Sequence, residues 1–130
     1  MVYLSVAQML RLHRDQTGAY GGSTGLRDLG LLEAAVARPA MTFGGDDLSP
    51  DMPAKAAALM HSLVLNHPFI DGNKRVGAQA AILFVLANGW ECLATPDELV
   101  DITLAVAEGS VAAEALAIWF RQRSLVAESG

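Results

Sequence analysis

The chain has 130 residues, close to the commonest size of a single protein domain, so a second hydrophobic core is not expected. Apolar residues make up 52% of the sequence and charged residues only 18%, a balance that excludes intrinsic disorder. Nine Lys and Arg against fourteen Asp and Glu give a net charge of -5, which argues against direct binding to nucleic acid or to an anionic membrane. We therefore expect one domain, residues 1–130, that holds any anion through a local site.

Cysteine content and the N-terminus predict the cellular compartment. Cys92 is the only cysteine, which rules out an intramolecular disulfide and a multi-thiolate metal cluster. No basic segment precedes the first apolar residues, and the most apolar stretch, 76–90, is shorter than the roughly 20 residues that span a membrane. We expect a soluble, cytoplasmic protein.

The first half of the chain has helical periodicity. A first helix follows the N-cap Ser5 and ends before the glycine-rich segment 17–25. For residues 19–25 we expect a flap or a flexible connection. Asp28 caps a second helix, which Pro39 stops, and residues 40–52 are typical of a loop.

The second half continues this pattern. A third helix begins near Pro53, and its apolar face, extended by one turn, reaches His67. A fourth helix opens at Asn73 as N-cap, is apolar nearly all round, and should be central. The fourth helix ends in a left-handed C-cap at 88–89, and a short strand at 90–94 pairs with 2–4. A fifth helix begins at Thr95, a sixth covers 111–121, and the residues after Arg123 fray. The predicted fold class is mainly α, a compact bundle of about six helices with at most a small two-stranded β-ribbon.

The segment 67–75, HPFIDGNKR, joins the third and fourth helices and concentrates chemistry-bearing residues. A helix start directs unpaired backbone N–H groups and the positive end of the helix dipole outward, and Gly72 leaves that approach free of a Cβ. Lys74 and Arg75 occupy a first helical turn, where cations cost roughly 0.3–1 kcal/mol each. This arrangement favours an anion site, with phosphate as the expected occupant, although both side chains could instead extend into water.

Two further residues of this segment refine the prediction. Asp71 would repel a phosphate unless a divalent cation lies between them, and Mg2+ is the natural bridge. His67, at the inward face of the third helix and four residues from Asp71, could take a proton from a nucleophile, or could be a core histidine. His13 and His61 are most simply structural or surface residues, and Trp90 and Cys92 are most simply core residues.

The nine residues resemble the signature of the Fic/Doc superfamily, His-x-Phe-x-(Asp/Glu/Asn)-(Gly/Ala)-Asn-(Gly/Lys)-Arg, and are most similar to its death-on-curing (Doc) toxin branch, which has Lys at the position of Lys74. Other Doc landmarks follow in the expected order: Leu12-His13, Tyr20-Gly21-Gly22, Gly25 to Asp28 with Gly30, Arg38-Pro39, and 83–89. The resemblance covers nearly the whole chain.

The resemblance implies a set of roles. His67 would be the general base for a target hydroxyl, Asp71 would bind Mg2+, Gly72 and Asn73 would hold phosphate oxygens, and Lys74 and Arg75 would neutralise charge in the transition state. Fic enzymes transfer the adenylyl part of ATP, but Lys74 and Ala78 stand where they keep Gly and a second Arg. Doc proteins share both departures, bind the nucleotide in a reversed sense, and transfer the γ-phosphate of ATP to elongation factor Tu, which arrests translation. The expected cofactors are ATP and Mg2+.

Two alternatives remain open at this point. One is adenylyl or other nucleotidyl transfer, which Gly72 and Asn73 permit and Lys74 and Ala78 weaken. The other is a non-catalytic co-repressor that acts with an antitoxin on its own operon. Ser124 to Glu128 approach the inhibitory motif of some Fic proteins, but Ser129 breaks the match. We therefore expect restraint in trans by a Phd-like antitoxin of a bacterial or phage-encoded pair, with nucleic acid contacted only through that complex.

Overall fold

A computed structural model of the chain describes residues 1–22 and 25–128. In these ranges the chain forms six α-helices, one 3-10 turn and two antiparallel ribbons, in the order α1 Val6–Tyr20, α2 Leu29–Ala37, the 3-10 turn Arg38–Ala40, β1 Thr42–Phe43, β2 Asp46–Asp47, α3 Met52–Asn66, α4 Asn73–Ala87, β3 Trp90–Cys92, α5 Pro96–Ala107, α6 Ala113–Arg123 and β4 Ser124–Val126. The predicted mainly α bundle of about six helices is confirmed.

The core is built around α3, which packs against α2, α4, α5, α6 and the 3-10 turn. Ten of its fifteen residues are buried. The fourth helix, which we expected to be central, also lies in the core, but α3 has more neighbouring elements. The two helices approach closely at Gly77, where a Cβ atom would lie 2.7 Å from Cγ2 of Val64. A side chain at this position would not fit between α3 and α4 without a shift of its neighbours.

Side-chain caps begin most of the helices as the sequence predicts. Ser5, Asp28 and Thr95 each accept a hydrogen bond from a backbone N–H in the first turn of their helices. Asp51 does the same for α3 by accepting from the N–H of Ala54 at 3.0 Å. The first helix extends further than predicted, to Tyr20, and ends at Gly21, whose φ of 84° breaks it.

The ribbon predictions need two corrections. The strand at 90–92 pairs with Ser124–Val126 and not with residues 2–4, so residues predicted to fray form β4. The end of α6 brings the chain back beside β3, where the N–H of Leu93 donates to the carbonyl of Arg123 at 2.6 Å. Residues 2–4 are tied instead to the end of α4, because the Asn88 side chain bonds both the N–H and the carbonyl of Val2.

The second ribbon lies in the segment 40–52 that the sequence predicts as a loop. Thr42–Phe43 and Asp46–Asp47 pair across Gly44 and Gly45, whose φ angles of 61° and 89° suit a hairpin turn. The buried Lys55 side chain of α3 holds this region at β2, because its Nζ lies 3.7 Å from Oδ2 of Asp47 and also donates to the carbonyl of Pro39 at 2.8 Å. Among the described residues, no helix combines the length and hydrophobicity needed to cross a membrane.

Candidate phosphate-binding site

The third helix ends at Asn66, and His67 takes the left-handed conformation with φ 50° and ψ 57°. Among the described residues it is the one non-glycine residue with a positive φ, a conformation that costs free energy and is enriched at functional sites. The His67 side chain is therefore exposed and does not continue the apolar face of α3, which corrects the inward position predicted for it. The physical reason is Pro68, because a residue before proline is disfavoured in the right-handed helical region.

Arg27 holds this helix end from a distant part of the chain. Its Nε donates to the carbonyl of His67 at 2.6 Å, and its Nη2 donates to the carbonyl of Asn66 at 2.7 Å. A cation is favourable at a helix C-terminus, where carbonyl groups lack partners within the helix. The sequence analysis assigned no role to Arg27, and its place after a glycine-rich segment carries no local signal of this contact.

The segment 25–28 also pairs with the loop through its backbone. Leu26 and Phe69 form an antiparallel bridge, and the N–H of Ile70 donates to the carbonyl of Gly25 at 3.0 Å. The N–H groups of Arg27 and Asp28 both donate to the carbonyl of Pro68, at 2.8 and 3.0 Å. The loop is thus held along its length. The predicted flap at 19–25 includes Ser23 and Thr24, which lie outside the described residues.

Asn73 has a different role from the predicted N-cap. Gly72, with φ 80°, is the N-cap of α4, and Asn73 is the first helical residue and only 8% exposed. Its Oδ1 accepts from the N–H of Phe69 at 3.0 Å and its Nδ2 donates to the carbonyl of Phe69 at 2.9 Å. The carboxamide is therefore engaged in closing the loop, and what Asn73 offers toward the cavity is its backbone N–H.

His13 of α1 contacts the loop 67–72 at two points. Its ring stacks in parallel on Phe69, with centroids 3.8 Å apart, and its Nε2 lies 2.7 Å from the carbonyl oxygen of Asp71. Because a carbonyl only accepts, Nε2 carries the proton and donates. His13 is 2% exposed, so the structural reading predicted for it is confirmed.

These contacts shape a cavity of about 470 Å³ at the start of α4, which we call the phosphate cavity. Its walls contain all six of the predicted site residues and part of the segment that follows α1: His67, Asp71, Gly72, Asn73, Lys74 and Arg75, with Tyr20, Gly21, Gly22 and Ile70. The structure thus brings together every residue that the sequence analysis selected.

The charges in this cavity are available to a ligand. The ion pairs of the described residues are Lys55–Asp47, Arg121–Asp51 and Arg123–Glu98, so Lys74 and Arg75 are not neutralised by a carboxylate there. Both are exposed, and the Arg75 guanidinium lies 5.0 Å from the centre of the Tyr20 ring, a cation–π contact that orients it. The first N–H groups of α4 have no partner within the helix, and together with them the two cations make a site suited to a polyanion.

Asp71 is the one acidic residue of the cavity wall. Its Oδ1 accepts from the N–H of Gly72 at 2.8 Å, and its Oδ2 faces Gly22, where a Cβ atom would lie 2.7 Å away. No group of three or more His, Cys, Asp or Glu side chains in the described residues could hold a metal ion by itself. One carboxylate beside a phosphate site nevertheless fits Mg2+, which is commonly held by one or two carboxylates and by substrate phosphates.

A helix–loop–helix thus gathers a histidine, a carboxylate, a helix N-terminus and two cations around one cavity, an arrangement suited to an anionic ligand. Comparison with known proteins identifies the family. The model of the Fic/DOC family matches residues 3–85, and the chain belongs to that family.

Two curated proteins are similar to this chain. The "Toxin Doc" of Mycolicibacterium smegmatis (strain ATCC 700084 / mc(2)155) is 49% identical over 79 residues, which span 61% of each chain. The "Protein kinase doc" of Escherichia phage P1 is 29% identical over 122 residues, 94% of this chain and 95% of the phage protein. The alignment with the mycobacterial protein thus spans about three fifths of that protein's length.

Proposed function

We propose that this chain is a Doc-type toxin that transfers the γ-phosphate of ATP to a hydroxyl of a protein target, with elongation factor Tu as the first candidate, and so arrests translation. The observation that carries the proposal is Lys74. It lies in the first turn of α4, is exposed, has no carboxylate partner among the described residues, and lines the phosphate cavity beside Arg75. The similarity to the phage protein kinase supports the same reaction.

The residues of the phosphate cavity have different roles in the proposed reaction. The phosphate chain of ATP binds against the N–H groups of α4, which point at it without reorganisation because the loop is held by Arg27, His13 and Asn73. Lys74 and Arg75 neutralise the charge that spreads over the transferred phosphoryl group. Bound Mg2+, held by Asp71 and by phosphate oxygens, would supply further charge neutralisation.

His67 completes the site as the base. Its side chain is exposed on the cavity wall, so a serine or threonine hydroxyl of a partner protein can reach it. The imidazole takes the hydroxyl proton as the oxygen attacks the γ-phosphorus, and the bond from the γ-phosphorus to the β–γ bridging oxygen breaks, so that ADP leaves. The left-handed backbone at His67 and the grip of Arg27 on its carbonyl fix where that side chain emerges. Because phosphoryl transfer has a loose transition state, the cations matter more than the base.

Labelled ATP tests the proposal. Purified protein is incubated with Mg2+, elongation factor Tu and ATP labelled at either the α or the γ phosphate. We expect label on the target from γ-labelled ATP only, and loss of transfer in Lys74→Ala and in Arg75→Ala. Arg14→Ala, an exposed arginine on α1 away from the cavity, is the control and should keep full transfer. Transfer of α label alone would show nucleotidyl transfer and refute the kinase assignment.

We also propose that an antitoxin restrains this chain in the cytoplasm. The name of the mycobacterial relative, a toxin, supports a partner of this kind. A Phd-like antitoxin co-produced with a tagged copy should co-purify with it and suppress transfer of γ label. Operator DNA should bind the complex but not this chain alone, in keeping with its net charge of -5.

A further inference from the structure

The Arg75 side chain lies where two cavities meet. One is the phosphate cavity, and the other, of about 470 Å³, lies between α1, α4 and α5. Tyr20 and Lys74 also belong to both walls. The guanidinium therefore has open space on two sides, and only one of them receives the phosphates in the proposed reaction. A long side chain in this position needs a contact that selects one direction.

The contact that restrains Arg75 is aromatic and not ionic. Its Cζ lies over the Tyr20 ring, 5.0 Å from the ring centre, and no carboxylate of the described residues forms an ion pair with it. A carboxylate would engage the in-plane N–H groups of the guanidinium and neutralise its charge. The face of an aromatic ring attracts the cation and leaves those N–H groups and the charge available to a phosphate.

Tyr20 is held in place by the helix that carries it. It is the last residue of α1, which ends where the N–H of Gly21 donates to the carbonyl of Thr17 at 2.8 Å. The same helix is joined to the loop 67–72 by His13, whose Nε2 donates to the carbonyl of Asp71 at 2.7 Å. The position of the ring is thus fixed relative to the phosphate cavity, although Tyr20 is 63% exposed and contributes nothing to the core.

Lys74 has no comparable restraint. In the part of the chain that the structure describes, the cations that lie over an aromatic ring are Lys55, Arg75 and Arg123. Lys74 and Arg75 are neighbours in the first turn of α4, where the helix dipole disfavours both. A ring compensates this cost for Arg75 alone. The chain therefore offers one oriented cation and one free cation at the same site.

We infer that Tyr20 is a positioning residue that holds the Arg75 guanidinium toward the phosphate cavity before the phosphates arrive. This inference rests on the proposed ATP-dependent function. An oriented guanidinium loses less conformational freedom when it binds a phosphate, so the effect of Tyr20 is a gain in phosphate affinity. Tyr20 acts through Arg75, by means of its ring and not of its hydroxyl.

Calorimetry with inorganic tripolyphosphate in the presence of Mg2+ tests this role. The probe lacks a nucleoside, so a contact between Tyr20 and the rest of ATP cannot affect the result. We expect Tyr20→Leu to bind about two- to fivefold more weakly than the wild type, the effect of one exposed cation–π contact. Tyr20→Phe keeps the aromatic face and should restore the wild-type affinity.

Double-mutant cycles assign the effect to one cation. Tyr20→Leu should cause no further loss in an Arg75→Ala background, because the side chain that the ring orients is already absent. In the matched Lys74→Ala background it should still cause the full two- to fivefold loss. Thermal melting checks the fold of each variant, and Tyr20→Gln serves as a second variant without a ring if Tyr20→Leu does not fold.

Nuclear magnetic resonance detects the contact without any ligand. The ring current of Tyr20 should shift the Nε–H proton of Arg75 upfield, and Arg75→Ala identifies that resonance. The upfield shift should be lost in Tyr20→Leu and kept in Tyr20→Phe. The Nε–H proton of Arg14, an exposed arginine on α1, is the control and should not move.

Three results would overturn the inference: an equal loss of affinity in Tyr20→Phe and Tyr20→Leu, which would assign the effect to the hydroxyl; a Tyr20→Leu loss that persists in the Arg75→Ala background; and an Arg75 resonance that Tyr20→Leu leaves unchanged. A wild-type chain that binds neither tripolyphosphate nor ATP would refute the proposed function itself. Binding of both ligands without coupling between Tyr20 and Arg75 would refute the positioning role alone.

Discussion

The Nε of Arg27 lies 2.6 Å from the carbonyl oxygen of His67 and donates a hydrogen bond to it across 40 positions of sequence. His67 has left-handed backbone angles that a histidine rarely adopts, so its place depends on surrounding contacts. Arg27 supplies the most direct of them. The geometry of the base is therefore set from outside the nine-residue signature.

Shortening Arg27 should affect turnover more than substrate binding. In Arg27→Ala we expect transfer of γ label to fall about ten- to a hundredfold in kcat, because the base is displaced, with KM for ATP unchanged. Arg27→Lys keeps the charge at the helix end but can satisfy fewer carbonyls, and should recover part of the loss. A parallel rise in KM, or no recovery in the lysine variant, would mean that Arg27 does not position His67.

Gly22 should be required for binding at Asp71, whereas Gly21 should not. A Cβ at Gly22 would meet Oδ2 of Asp71 at 2.7 Å, whereas a Cβ at Gly21 would meet nothing within 4 Å. Both residues have positive φ, so alanine causes the same kind of backbone strain at either position. We expect Gly22→Ala to weaken Mg2+-dependent ATP binding, measured by calorimetry, several times more than Gly21→Ala does. Equal effects of the two variants would mean that Asp71 does not bind the Mg2+ ion.

Two helical glycines should respond to alanine with opposite signs. Alanine at Gly77 would place Cβ 2.7 Å from Cγ2 of Val64, and the resulting overpacking should cost about 1–3 kcal/mol in the free energy of unfolding. Gly18 lies in α1 with nothing within 4 Å of its Cβ position, so Gly18→Ala should stabilise by up to about 1 kcal/mol. Urea denaturation of both variants measures the two effects. A stabilising Gly77→Ala would show that α3 and α4 are less closely packed than described.

Asp51 should contribute to acid unfolding. Partial burial alone would raise the pKa of Asp51, but the N–H of Ala54 and the guanidinium of Arg121 outweigh it and lower that pKa. A carboxyl with a lowered pKa in the folded state stabilises above its unfolded pKa and loses this contribution as the pH falls through the folded pKa, so stability should fall below about pH 4.

Asp51→Asn isolates this contribution because it keeps the cap oxygen but cannot titrate. It should cost less than about 1 kcal/mol at neutral pH, since the ion pair is exposed, and should flatten the acid side of the stability profile. Asp101→Asn, an exposed change without an ion-pair partner among the described residues, is the control. An acid limb as steep in Asp51→Asn as in the wild type would contradict the prediction.

The helices and most caps could be predicted because their signals are local. Ser5, Asp28 and Thr95 precede periodic apolar residues, and each caps its helix. The predictions were wrong where contacts between distant parts of the chain determine the local structure. Ser124–Val126 forms a strand only because β3 lies beside it, and the Asn73 carboxamide turns back to Phe69 because the loop closes on itself.

Local and long-range signals also differ at the site. The nine-residue signature predicted the position of the cavity, because its residues are consecutive and lie together at the start of α4. Arg27 lies 40 positions before His67, and its hydrogen bonds to the loop depend on how the segment 25–28 packs against it. His67 is an intermediate case. Periodicity predicted an inward side chain, but Pro68 directly after it already indicated that the helix must end there.

The most direct test of the proposed reaction is the intact mass of elongation factor Tu after incubation with this chain, ATP and Mg2+. The account predicts an added mass of one phosphoryl group, present with the wild type and absent with Arg75→Ala. An added mass of one AMP group, or an unchanged target in the presence of a folded, ATP-binding chain, would contradict it.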